Sequence, residues 1–304
     1  MVLQTVLGPV PPEAFGPTDC HDHLIARPPA PYATEDPDLV LDAEEPALAE
    51  LLRFRAAGGT ALVECTTVDY GRDAATLRRL SAASGVHIVA VTGFNKGKFS
   101  ASVIAERTVA AWTERAVQDV TAGMDGMDIR AGAVKAASSL DRFLPEEETA
   151  FVVAAAVHRA TGVPVLTHTE AGTCGPEQLD RLERLGVDPR RVVLGHLDRK
   201  LQWAYLAGLA RRGCFLSFDQ VGKRKYGTDA ARAAMLARLA DAGFGDQLLI
   251  GGDFARRSYW MAHGGTLGPA HLLTGFVGVL DAAGFTPADT RRLLVENPRR
   301  AWAF

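Results

Sequence analysis

The sequence predicts an α/β fold, a (β/α)8 barrel of the TIM type, and three observations predict it. Short β-rich runs recur along the chain, each is followed by a stretch of helical periodicity, and eight such units fit within about 250 residues. Strands bounded on both sides by helices read as βαβ units around a parallel sheet. The runs are short and almost continuously apolar, as when both faces of a sheet are covered. A doubly wound sheet is the competing architecture, but no GxGxxG follows the first run. No linker, low-complexity segment or second domain interrupts the pattern, so residues 1–304 read as a single barrel domain.

The elements follow in order. GPTDC (16–20) is the first strand, and EEPALAELLRFRAAG (44–58) a helix with apolar residues at three- and four-residue intervals. TALVECT (60–66) and VHIVAVTG (86–93) are the second and third strands, and 101–123 reads as one long helix. IRAGAVKA (129–136) is the fourth strand. The helix over 146–162 carries acids in its first turn and ends at Gly162, as the helix dipole and a C-terminal stop favour. VPVLTHT (163–169), RVVLGHL (191–197), CFLSF (214–218) and QLLIGGD (247–253) complete the eight.

Bulk properties exclude several functions. Of the 304 residues 47% are hydrophobic and 23% charged, with a net charge of −3 and mixed signs, so nothing draws the chain to nucleic acid or an anionic membrane. No apolar run reaches the eighteen or so residues of a membrane span. The N-terminus lacks a basic segment and breaks its apolar run with Gly and Pro, a poor secretion signal. Cys20, Cys65, Cys174 and Cys214 are scattered without CxxC spacing and read as buried thiols of a reducing, cytoplasmic compartment.

In such a barrel the catalytic side chains stand at the C-terminal ends of strands. Residues 18–24, TDCHDHL, end the first strand with His21 and His23, which share a side of an extended chain. The fourth strand ends with Lys135, the fifth with His168, the sixth with His196 and the eighth with Asp253. Apart from the lysine these are ordinary zinc-type ligands. Singly, each has a plain structural explanation: a hydrogen-bonded core histidine, an N-cap aspartate, a lysine snorkelling to the rim. Jointly they mark one rim of the barrel. His87, His158 and His271 fall at a strand start or inside helices and receive no role; His263 lies in the loop after the last strand.

With these residues in place the chain resembles the amidohydrolase superfamily, and its phosphotriesterase-like branch in particular. The matching stretches are TDCHDHL, GRD (71–73), RAGAVKAAS (130–138), THTEAGT (167–173), GHLDR (195–199), GGDFARRSYW (251–260) and the terminal NPRRAWAF. The resemblance implies two divalent metal ions, usually zinc, bridged by a hydroxide and by Lys135 carboxylated on its amine. It places His21, His23 and Asp253 on the more buried ion and His168 and His196 on the more exposed one. It implies hydrolysis by the bridging hydroxide, with Asp253 taking its proton and delivering it to the leaving group. Asp22 stands where a common form of the first motif has Glu. The resemblance also implies that a homodimer is common in this branch.

Substrate choice belongs to the loops. DQVGKRKYG (219–227) and GGDFARRSYW (251–260) follow the last two strands, where barrels frequently build phosphate sites. Lys223, Lys225, Arg256 and Tyr259 supply cationic and hydroxyl donors, and Lys96 and Lys98 follow the third strand on the same rim. These loops resemble a subgroup acting on phosphorylated sugar lactones, in which a Lys, an Arg and a Tyr hold the distal phosphate; Lys225, Arg256 and Tyr259 match. The quorum-signal lactonases of the branch carry Tyr and Arg where Asn95 and Gln220 stand. The expected substrate is a small anionic lactone. Hydrolysis of neutral esters, lactones or phosphotriesters is the alternative within enzymes, and a non-catalytic sugar-phosphate-binding barrel the alternative outside them.

Overall fold

A computed structural model describes residues 1–304. It opens with an antiparallel hairpin absent from the sequence-based expectation, β1 (Leu3–Thr5) and β2 (Gly8–Val10). Three-residue strands are too short for a period-two signal to register. The hairpin docks under the sheet, with Val6 N donating to Ile88 O at 2.9 Å.

Eight parallel strands follow: β3 (Thr18–Asp22), β4 (Ala61–Glu64), β5 (His87–Gly93), β6 (Ala133–Ser138), β7 (Val165–Thr169), β8 (Val192–Leu194), β9 (Phe215–Phe218) and β10 (Leu248–Ile250). Each pairs with the next in chain order. The seam between β10 and β3 is closed just past the strand ends. There Asp253 N donates to His21 O (2.7 Å), Gly252 N to Asp19 Oδ1 (3.2 Å) and Phe254 N to Asp22 Oδ1 (2.7 Å). This is the predicted (β/α)8 barrel, and the residues that stitch its seam are the expected ligands His21 and Asp253 and their neighbours.

Period-two alternation sorts the strands into two layers. Val63, Val89, Val91, Ala133, Leu166, Val193 and Leu249 fill the barrel interior, floored by Leu3, Phe15 and Trp302. Their neighbours Leu62, Ile88, Ala90, Val134, Val165, Leu194, Leu216 and Ile250 face the helices. Lys135 follows Ala133 by two residues and therefore shares its inward parity, two steps nearer the mouth. In β3 the register shifts between Asp19 and Asp22, and such irregularities re-aim side chains beside active sites.

The outer helices keep their sequence signals. Glu44–Ala56 has acids first and Arg53 and Arg55 last. Ala74–Ser84 is capped by Asp73, which accepts from Thr76 N at 3.0 Å. Pro145–Thr161 ends at Gly162, whose φ of 78° only glycine adopts without cost. The helix expected over 101–123 is two, Gly97–Ile104 and Val109–Thr121, because the Thr108 side chain accepts from Ala111 N and starts a new helix. All four cysteines are buried and unpaired. No helix is long and apolar enough to cross a membrane.

Candidate metal centre

Local backbone geometry delivers the six expected ligands to one mouth. His21 lies within β3 and His23 just after it, Lys135 within β6 and His168 within β7. His196 and Asp253 lie past β8 and β10 in left-handed backbone, at φ 60° and 44°. Such conformations are uncommon and costly for residues with a Cβ, and they cluster at functional sites. The ligand atoms of His21, His23 and Asp253 all lie within 4.8 Å of one another. Asp253 Oδ1 is 3.6 Å from His23 Nε2 and 4.0 Å from His21 Nε2. The rings of His168 and His196 meet edge to face at 4.5 Å. The Lys135 amine donates to Cys65 O at 2.8 Å, and its charge bears on both His21 and His23.

Burial decides the protonation of this cluster. It holds His21 below and His23 well below the usual imidazole range, and it brings His168, beside His196, down to about 3. Neutral imidazoles are the form that binds metal. Burial also acts on His196, but the carboxylate of Asp219 outweighs it and raises that ring. Desolvation opposes the charge on Asp253, yet the Lys223 ammonium, followed by His196, keeps its carboxyl well below the usual range.

The donor set fits a divalent cation. Both ring nitrogens of fully buried His21 lack a hydrogen-bond partner, which costs about 1–3 kcal/mol for each group unless a ligand is bound. Neutral imidazoles and an ionised carboxylate within 4.8 Å of one another are the hard-to-borderline donors that zinc and its neighbours take.

Sequence reasoning missed the carboxylate behind these ligands. Asp219, fully buried after β9, accepts from His196 Nδ1 at 2.6 Å and from His196 N at 3.0 Å. Its other oxygen lies 3.2 Å from His21 Nδ1, off the line a hydrogen bond needs. One carboxylate thus backs a ligand from each expected metal site and leaves Nε2 of His196 free, the usual way protein groups orient metal-binding imidazoles. Its signal was an acid at a strand end, in FDQ (218–220), beside the more conspicuous lysines.

Above the histidines lies a cavity of about 190 Å³ whose wall includes Lys96, Lys98, Arg199, Tyr226, Arg256 and Tyr259. The four residues expected to hold phosphate are not equivalent. Tyr259 faces the cavity; Lys225 is exposed and does not line it, and its ammonium lies 5.2 Å from the Tyr259 ring. Arg256 lines the wall, but its guanidinium is engaged by Asp36 (2.7 Å) and Asp38 (3.3 Å) from the loop after β3. Lys223 turns inward and is buried, donating to Asp253 Oδ2 at 2.8 Å and to Gln220 Oε1 at 3.1 Å. A buried ammonium needs a nearby anion, and the Asp253 carboxylate supplies one. Arg199 and Tyr226, stacked at 4.0 Å, and Glu170 were not among the expected site residues.

The remaining histidines have structural partners. His87 stacks on Phe15, His158 Nδ1 meets Val163 O at 2.8 Å, His271 lies 3.8 Å from Asp229, and His263 stacks on Trp260.

Comparison with known proteins agrees with this geometry. The phosphotriesterase family model matches residues 1–302. A lactonase from Listeria monocytogenes is 31% identical and superposes with a TM-score of 0.94 over 100% of this chain and 99% of its own. A phosphotriesterase homology protein from Escherichia coli, solved with phosphate in its active site, is 32% identical with a TM-score of 0.91, over 95% and 99%. The N-acetyltaurine hydrolase of Homo sapiens is 30% identical over 99% of this chain and 98% of its own. A match over nearly the full length, on a barrel whose mouth gathers the family's metal-type donors, makes this chain a member of the phosphotriesterase family.

Proposed function

We propose that this hydrolase opens a phosphorylated sugar lactone at a binuclear metal centre. The observation that carries the reading is that His21, His23, His168, His196 and Asp253 gather at the base of a cavity with a cationic wall. His21, His23 and Asp253 would hold one ion, His168 and His196 the other, and Lys135 as a carbamate would bridge them. When bound, two divalent cations supply a water of lowered pKa and polarise the carbonyl under attack; zinc is the proposed metal.

The chain's own residues do the rest. Asp253 is ionised before substrate arrives, with Oδ1 toward His21 and His23 and Oδ2 toward Gln220 and Lys223. It takes the proton of the attacking water and returns it to the leaving alkoxide. Asp219 keeps His196 in one tautomer throughout. Lys225 and Tyr259, with Arg256 between Asp36 and Asp38, form the proposed phosphate seat at the rim. Phosphate in the active site of the E. coli relative and the lactonase activity of the Listeria relative support this choice. A neutral-ester substrate is less suited to a wall that carries Lys96, Lys98, Arg199 and Arg256.

The test is a paired initial-rate assay on zinc-loaded protein, with a five-carbon sugar lactone bearing a 5-phosphate and the same lactone without it. The expected preference is a hundredfold or more for the phosphorylated form, about 2.7 kcal/mol of transition-state binding. Lys225→Ala is expected to raise KM for the phosphorylated lactone and spare its analogue. Equal rates on the two lactones in the parent protein would overturn the phosphate reading.

A further inference from the structure

We infer that Glu170 is a positioning residue for the more exposed metal site, acting through His168. The inference rests on the metal reading above and extends it to a residue that reading does not use. Glu170 follows β7 by one residue, and its Oε2 lies 3.3 Å from His168 Nε2. A histidine whose Nε2–H donates to a carboxylate presents Nδ1 as its only lone pair, so the contact selects which nitrogen faces the metal.

Three features hold the carboxylate there. Lys96 Nζ, from the loop after β5, donates to the same Oε2. Arg199 Nη1, from the loop after β8, approaches Oε1 at 3.6 Å and is itself stacked on Tyr226. The turn that carries Glu170 is strained: Ala171 has φ 53°, and Gly172, at φ 74°, has no room for a Cβ because Lys200 Cβ would lie 2.8 Å from it. Left-handed backbone at a non-glycine residue persists only where the surroundings impose it. Lys96, Glu170 and Arg199 therefore form a buttress behind His168, supplied by three separate strand ends.

The arrangement is selective between the two metal sites. Among the four mouth histidines Glu170 contacts His168 alone, whereas Asp219 backs His196 and lies close to His21. Loss of Glu170 is thus expected to weaken one site and leave the His21–His23–Asp253 site as it was.

The experiment titrates metal-free protein with Co2+, following the visible absorption of the bound ion, with metal content measured after desalting. Parent protein is expected to take up two equivalents. In Glu170→Gln the second equivalent is expected to bind about 10–100-fold more weakly with an altered absorption band, the scale set by lost outer-shell partners. The first equivalent and the Tm of the metal-free variant are expected to stay at parent values. Lys96→Met, which keeps the carboxylate and removes one of its anchors, is expected to show the same selective loss at smaller size, and serves if Glu170→Gln fails to fold. Parent-like affinity for both equivalents, or equal weakening of both with a fallen Tm, overturns the inference while the metal reading stands. Failure of the parent protein to take up cobalt overturns the metal reading itself.

Discussion

At Asp253 the two carboxylate oxygens face different tasks. Oδ1 looks to His21 and His23, and Oδ2 is held by Lys223 and Gln220 at 2.8 Å each. Asp253→Asn keeps the shape and one ligand oxygen but gives up the base. We expect a folded protein with hydrolysis reduced about a hundredfold or more, and near-parent kcat in that variant would remove Asp253 from the proton path. Asp69, buried under Asn95, has its carboxyl raised to about 6 by desolvation. A group whose pKa is raised on folding adds its stability fully below its unfolded value near 4 and loses it as pH rises through 6. Asp69→Asn removes the buried charge, so it is expected to raise stability by up to about 2–3 kcal/mol at pH 8 and to change little at pH 4. Denaturant melts of both proteins at the two pH values check this; a gain of equal size at both would exclude the charge as its cause.

Among the elements, β5 and β6 bring Lys135 to the mouth, and they depend on one glycine. Gly93 ends β5 at φ 93°, and a Cβ there would lie 2.1 Å from Lys135 O. Gly93→Ala combines that overlap with a disallowed backbone, and it moves the strand that carries Lys135. We expect a loss of about 3 kcal/mol or more, read as a Tm lower by about 5 °C or more, together with weaker metal uptake. A parent-like Tm would mean that β5 and β6 separate freely at this point. Elements like these were legible in advance because each barrel strand is a compact apolar run bounded by turn residues. The β1–β2 hairpin was not, since three-residue strands carry no periodicity. Nor was the break at Thr108, where a single side-chain cap outcompetes a continuous helical pattern.

Across the whole molecule the barrel's two ends divide the work of stability and function. The floor is apolar, closed by Leu3, Phe15 and Trp302, while the mouth buries Asp19, Asp22, Glu64 and Asp219 around four histidines. The gathering of His21, His23, Lys135, His168, His196 and Asp253 at one mouth could be read from the sequence because strand ends converge in any such barrel, so positions far apart in the chain share one rim. The partners of the rim cations could not, because they come from loops whose path the pattern leaves open. Asp36 and Asp38 on Arg256, Glu170 on Lys96 and Asp253 on Lys223 are all pairings of that kind. A mouth so dense in buried carboxylates and unpartnered imidazole nitrogens gains from bound cations, and the gain has a measurable form. A ligand that binds only the folded chain stabilises it by RT ln(1 + [L]/Kd), so above saturation each tenfold rise in free metal adds about 1.4 kcal/mol for every ion bound. Denaturant melts of chelator-treated protein in buffered zinc should therefore steepen to about 2.8 kcal/mol per decade once both sites fill. A slope that never exceeds about 1.4 would mean one resident ion and would leave His168 and His196 without the role assigned to them; no dependence on zinc at all would remove the metal centre.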